Sequence, residues 1–563
     1  MACVVDFFLD FLYNFVGTNK KVSSKLFQAM KKSLFFAFWM TLMAGRITAQ
    51  NVIEVSGEYH GQVLWEADTV KVVGDVVIEA GDTGHARLIV APGTFVMAEG
   101  YYKVFVHNGS FYAQGTETEP IVFSARDITD FNNPNVDSGW KGLYAVNDSG
   151  GQDSVLMEHC SVHYAKLTPS SPDNERKGAG LYVDAKKYCR LSHCSFINNK
   201  TYGTTNFYDP GQGGGVYVNN PGTCIIEHCL FKGNFSNSRG GGLMAIGNRS
   251  FKIHDCEFYE NTAQYGSALV MGLGMNSVGP EVCNNYIHAN HGNALYLGWD
   301  VVTGKLHDNV IVNNEGMTPV IGATSPNTSL YYNNTIVLNQ STGFMDDQTG
   351  GIWTIGQQKI YNNIIYFNGA SFSFGERQIG FDHTYGNPTI FNNCFSYYHD
   401  YPGSVYGEPD FVMPAYGLGP EYDRPNADWS LQNTSPCINA GSTEMSGYPA
   451  TDYYGNPRIK DGIIDIGATE FQDFEAVNEM PSELLYKVFP NPGTNRLNIM
   501  AIMEQPLSVS VYDMTGRLMF YSESASPLTE IDTEDWPSGM YFWKVCATGS
   551  TSQNSVNGKW IKQ

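Results

Sequence analysis

One short phrase recurs nine times between residues 155 and 395, and that recurrence leaves the chain few possible folds. Its anchors are Cys160, Cys194, Cys229, Cys256, Asn285, Asn309, Asn334, Asn363 and Asn393. They follow one another at steps of 34, 35, 27, 29, 24, 25, 29 and 30 residues. Three places before each anchor stands Met157, Leu191, Ile226, Ile253, Val282, Leu306, Tyr331, Ile360 or Ile390. Two places after it stands Val162, Phe196, Phe231, Phe258, Ile287, Ile311, Ile336, Ile365 or Phe395. Five places after it the inner copies carry Asn199, Asn234, Asn261, Asn290, Asn314, Asn339 and Asn368. The outer copies have Ala165 and Tyr398 there, as end units of a stack often differ.

A unit this short cannot bury its own apolar face, so the units must stack. The apolar segments are short and β-rich, and no long stretch has helical periodicity. Leucine is too sparse for leucine-rich repeats, and the period is too short for propeller blades. A parallel β-helix remains, with one coil per repeat and strands about 4.8 Å apart between coils. Strand alternation turns the anchor and the second residue after it inward together. The column three before has the opposite parity, so a bend must intervene. The residue just before the anchor agrees, being always polar: His159, His193, His228, Asp255, Asn284, Asp308, Asn333, Asn362 and Asn392. The trailing Asn column reads as a ladder of side-chain amides bonded from coil to coil.

Three motifs recur in the same place: Gly178-Ala179-Gly180-Leu181-Tyr182, Gly213-Gly214-Gly215-Val216-Tyr217 and Gly240-Gly241-Gly242-Leu243-Met244. With them the pattern resembles the right-handed parallel β-helix repeats of the pectin-lyase-like superfamily. The resemblance covers about half the chain and speaks to fold more than to activity. It implies an all-β protein, a right-handed parallel β-helix solenoid.

The chain has 563 residues, more than one compact core holds, but a solenoid grows in one dimension. A net charge of −22 argues against a nucleic-acid partner. Of 11 cysteines, four are anchors, and Cys189 and Cys224 share the place five before. They fit a ladder of small buried residues, with disulfides between coils of an exported protein as the alternative. Neighbouring strand residues face opposite ways, so a zinc site mixing the His and Cys columns is disfavoured.

Residues 1–29 read as a mis-called N-terminal extension. From Met30 a tripartite signal peptide follows, residues 30–49: Lys31-Lys32, an apolar run from Leu34 to Ala44, and a small-residue end at Ala49. The expected mature protein begins at Gln50 and has no transmembrane segment. Residues 50–472 form the β-helix: a cap and first coils at 50–150, repeats at 151–400, and a closing element at 401–472. Inserts at 166–178, 200–212, 341–352 and 369–388 carry aromatics, among them Tyr202, Phe207, Tyr208, Trp353, Phe374, Phe381 and Tyr385. In the closing element Asp452, Arg458, Asp465 and Glu470 suit a buried ion-pair network. Calcium held by Asp452, Asp465 and Glu470 is the alternative, and no other cofactor is expected.

A polar linker, 473–484, leads to a last module at 485–563. It contains Val488-Phe489-Pro490-Asn491-Pro492, Val509-Ser510-Val511-Tyr512-Asp513-Met514-Thr515-Gly516-Arg517 and Gly539-Met540-Tyr541-Phe542-Trp543-Lys544-Val545. Alternation and turns predict a small C-terminal β-sandwich. Order, spacing and position resemble the C-terminal sorting domain of type IX secretion cargo from Bacteroidetes. That resemblance implies type IX secretion machinery as a partner. It also implies removal of the domain after passage, with the protein released or held at the outer-membrane cell surface.

No Ser/His/Asp motif, phosphate loop or zinc motif is legible. Asp346-Asp347 and Arg458-Ile459-Lys460 match two polygalacturonase elements, but the other two are missing. The strongest polar cluster lies in the 369–388 insert: Glu376, Arg377, Asp382 and His383 supply acid, base and cation near Phe381 and Tyr385. Two functions stay open. One is a surface or secreted protein that binds an extracellular polysaccharide or a host surface. The other, from fold analogy, is a polysaccharide lyase or glycoside hydrolase.

Overall fold

A computed structural model describes residues 51–562, with interruptions of which the longest are 205–210, 322–327, 343–348, 371–377, 473–485, 502–506 and 548–554. The signal peptide and the 1–29 extension lie outside the described residues, as does the 473–484 linker. Among the described residues no helix is long and apolar enough to cross a membrane. The chain divides into two compact units, one ending at Phe471 and one beginning at Gln472.

The first unit is a parallel β-helix. A representative coil runs through Leu181–Asp184, Tyr188–Ser192, Ser195–Ile197 and Lys200–Thr201. Each strand pairs in parallel with its equivalent one coil on: Tyr182 with Tyr217, Cys189 with Cys224, Phe196 with Phe231. The register is kept from coil to coil, so like residues stack in columns. Phe196, Phe231 and Phe258 stack at 5.3 and 4.6 Å inside the core. The described cysteines are free thiols and all are buried.

The bend demanded by parity is a single left-handed residue. All nine residues before the anchors have φ between 46° and 56°, from His159 to Asn392. Polar residues dominate here because Asn, Asp and His tolerate this conformation best. A second left-handed residue precedes the trailing Asn of every inner repeat, among them Asn198, Gly233, Ala289 and Phe367. The first glycine of each Gly-rich motif adopts it too, with φ of 60°, 65° and 66°.

The trailing Asn column is a continuous ladder. Asn290 Nδ2 donates to Asn314 Oδ1 at 2.9 Å, and Asn261 Nδ2 donates to Asn290 Oδ1 at 3.0 Å. It starts where Ala165 N donates to Asn199 Oδ1 and ends where Asn368 Nδ2 donates to Gln378 Oε1. A second ladder, not anticipated from the sequence, runs through the anchors Asn285, Asn309, Asn334, Asn363 and Asn393. It takes over from the cysteines where Cys256 N donates to Asn285 Oδ1.

The closing element does more than end the stack. From Phe411 to Ala468 it runs back along the flank as a strap. The strap forms a second apolar core with outward residues of the later coils: Val310, Val312, Val337, Ile364 and Cys394 pack with Phe411, Trp429, Leu431, Ile466 and Ala468. Earlier coils put Ser161, Ser195, Leu230 and Glu257 at the place one after the anchor, where the later coils have Val310, Ile364 and Cys394. Polar bonds lock it down. Asn333 Nδ2 donates to the carbonyls of Asp465 and Gly467, and Asn362 Nδ2 to that of Ser442.

The second unit is a β-sandwich of two antiparallel sheets. Strands Tyr486–Phe489, Arg496–Ala501 and Leu528–Asp532 form one. Leu507–Tyr512, Leu518–Ser524, Gly539–Ala547 and Ser555–Lys562 form the other. Leu497, Ile499 and Ile531 meet Val509, Val511, Trp543 and Trp560 in one core.

Candidate functional site

The strap gathers the titratable side chains of the first unit. Arg458 is fully buried and pairs with Asp308 and, at 2.8 Å, with Glu470. Its guanidinium also donates to the carbonyls of Gly467 and Ala468. Asp452 accepts the N–H groups of Tyr454, Asn456 and Glu470. Asp465 accepts those of Asn439 and Phe471. The three sequence-derived calcium candidates thus face N–H donors and a guanidinium. Burial pushes Asp465 up and Glu470 up to about 8, against the pull of Arg458. Arg458→Met is expected to leave Asp308 and Glu470 without their buried guanidinium and cost about 3–5 kcal/mol, read as a lower urea midpoint.

Two histidines sit beside the strap, and His288 bonds it directly. His288 bonds Asp423 at 2.9 Å and Glu257 at 3.0 Å, between the rings of Tyr286 and Tyr259. His307 bonds Asp308 at 2.6 Å and Glu281 at 3.2 Å. Burial lowers both pKa values, but the carboxylates outweigh it and hold both above the ordinary value. The His307 bond in turn holds Glu281 down to about 2.

These shifts give the strap a pH dependence with a definite sign. His288, His307, Asp465 and Glu470 bind protons more tightly folded than unfolded. Their contribution is complete below the unfolded values and is lost as pH rises through the folded ones. Glu281 acts oppositely, and its contribution is lost only as acid approaches its value of about 2. The urea midpoint of the mature protein is therefore expected to fall between pH 6 and pH 9. His288→Gln should flatten part of that fall, and an equal slope in the variant would remove His288 from the account.

The insert cluster is only partly described. Glu376 and Arg377 lie outside the described residues. Asp382 ends the strand Ile379–Asp382, and His383 follows it, exposed. The His383 Nδ1 atom is 2.8 Å from Asn387 Oδ1, and its ring lies 4.8 Å from that of Phe381. The same insert supplies Gln378, the end of the ladder. Of the insert aromatics, Tyr202 packs on Phe235, while Trp353 and Phe381 pack against the core. Phe207, Tyr208 and Phe374 lie outside the described residues.

Exposed rings sit elsewhere, outside the inserts. Tyr397 and Tyr398 stand on the last coil, and Tyr416, Tyr422 and Tyr454 on the strap. Tyr398 is 74% exposed and Tyr416 66%. A cavity of about 430 Å³ lies at another corner, between Gly150, Lys186, Lys187, Asn220 and Gly222. It has no aromatic wall, and its Lys186 turns inward onto Gly109 O and Asn147 Oδ1.

A comparison with curated proteins finds no match. Residues 487–563 match the family model described as the secretion system C-terminal sorting domain. That span is the antiparallel sandwich almost end to end. The chain is therefore a parallel β-helix carrying a type IX secretion sorting domain, exported by that system to the cell surface or the medium.

Proposed function

We propose that the exported β-helix is a non-catalytic binding protein whose partner is an extracellular polysaccharide or a glycan-bearing host surface. The observation that carries this reading is the set of outward tyrosines on the strap and last coil, Tyr397, Tyr398, Tyr416, Tyr422 and Tyr454. Tyrosine offers an apolar ring face for a sugar and a hydroxyl for its polar edge, at low entropic cost. Sixteen per cent charged residues and a net charge of −22 favour a neutral glycan over a polyuronate.

The test is binding of the mature protein to immobilised neutral and uronate polysaccharides, with and without calcium. Each of Tyr398→Ala, Tyr416→Ala and Tyr454→Ala is expected to weaken binding roughly 2- to 10-fold. Retention unaffected by all three would overturn the reading. Release of shortened chains in the same assay would replace it with a lyase or hydrolase, and Asp382→Asn and His383→Ala would then be the first variants to assay.

A further inference from the structure

The left-handed bend has a chemical consequence in the first two repeats. On a regular strand Glu158 and His159 would face opposite ways. His159 has φ 46°, so the alternation breaks there. Cys160 still turns into the core, and Glu158 and His159 both stay outside. One coil on, His193 repeats the conformation with φ 52°. The two imidazoles stack with centroids 4.7 Å apart. One ligand atom from each of Glu158, His159 and His193 lies within 4.8 Å of the others.

Further observations single this corner out. Ser192 Oγ lies 2.9 Å from His193 Nδ1 and fixes that ring. Such outer partners orient metal-binding imidazoles. Among the described residues, neither the Glu158 carboxylate nor the His159 imidazole takes part in a hydrogen bond or ion pair. The next repeats resolve the same positions internally. Glu227 takes Arg190 at 2.8 Å and His254 at 3.4 Å, and Asp255 takes His254 at 2.6 Å. Arg190, which lies within electrostatic reach of Glu158, makes its carboxylate bonds to Glu227.

We propose that Glu158, His159 and His193 form a surface site for one zinc ion. Two imidazoles and a carboxylate suit zinc and its late first-row neighbours; calcium prefers an all-oxygen shell. Zinc–ligand bonds of about 2.0–2.2 Å place tetrahedral donor atoms roughly 3.4 Å apart. The donor atoms must therefore close by up to about 1.4 Å, and the stacked rings must turn so that their in-plane lone pairs converge, which rotamer adjustment at a partly exposed corner allows. Three protein ligands leave one coordination position for water or a partner's group. The bend makes the site possible, since it alone puts consecutive side chains on one face.

The test is calorimetric titration of the metal-stripped mature protein with zinc chloride, and separately with calcium chloride. One zinc per chain is expected at this corner, with no calcium heat from it. His159→Asn with His193→Asn should lower zinc affinity at least tenfold, and Glu158→Gln alone should lower it measurably. His254→Asn should leave the site's affinity unchanged. An unchanged isotherm in the double histidine variant, or loss only in His254→Asn, would overturn the assignment. Should the double variant lose its cooperative melt, Glu158→Gln decides alone: unchanged affinity there rejects the site.

Discussion

A mature chain ending at Phe471 is expected to fold and to stay in the periplasm. The solenoid has its own closure in the strap, whose Trp429, Ile466 and Ala468 complete the second apolar core before residue 471. The sandwich has a separate core around Val511, Trp543 and Trp560. Loss of the sorting domain should therefore remove the export signal and leave the β-helix intact. Deleting only Lys559 to Gln563 should also abolish export, for a reason beyond recognition. The last strand, Ser555–Lys562, pairs along Gly539–Ala547. Trp560 is wholly buried, and Lys562 Nζ donates to the carbonyls of Thr533, Glu534 and Trp536. Lys562→Met keeps the tail length and removes those bonds, which separates a folding defect from a lost address. Fractionation of a type IX-competent host reads all three. Surface delivery of the truncated forms at the full-length level would defeat the sorting role.

Asn290→Leu is expected to destabilise the solenoid by about 3–5 kcal/mol, because at least three buried polar groups lose their partners at roughly 1–2 kcal/mol each. The Asn290 side chain donates to Asn314 Oδ1, Phe258 O and His288 O. Its Oδ1 accepts both the backbone N–H and the side-chain amide of Asn261. No leucine rotamer replaces any of these. Asn290→Asp should be no milder, since its second carboxylate oxygen would face Asn314 Oδ1, Phe258 O and His288 O with no proton to donate. Urea unfolding of the first unit reads both, and an unshifted midpoint for the leucine variant would show the ladder to be dispensable.

The repeat was legible because its physics is local. Apolar positions at −3 and +2 and a polar residue at −1 each follow from strand alternation broken by one left-handed residue. The trailing Asn column announced its ladder by position. The second ladder carried the same signal, five successive Asn at the anchor, but it read there as a run of inward anchors continuing the cysteines. The strap was not legible as such, since its partners lie 130–150 residues upstream: Ala468 reaches Thr335 and Arg458 reaches Asp308. Its trace was nonetheless present. The outward places carry a denser apolar set in the later coils, Val310, Val312, Val337 and Ile364, where earlier coils show only scattered ones such as Ile197 and Leu230. The bend residues read as turn formers, and their capacity to put Glu158 beside His159 emerged only with the backbone angles.

The strap's long reach bears on the order in which the molecule assembles. Each coil closes over its predecessor within about 30 residues, so coils can be laid down in sequence with small entropic penalties. The strap must close loops of 132 to 150 residues to meet Asn333 and Asp308. Contacts of such separation form late. A chain maturing from its N-terminus would therefore hold the flank of Val310 and Val337 bare until residue 470 is available. During that interval the Asn ladders carry the later coils from within, and Asp308 waits without its guanidinium. The docking of Arg458 is then the step that converts a stack held by neighbours into a single cooperative body.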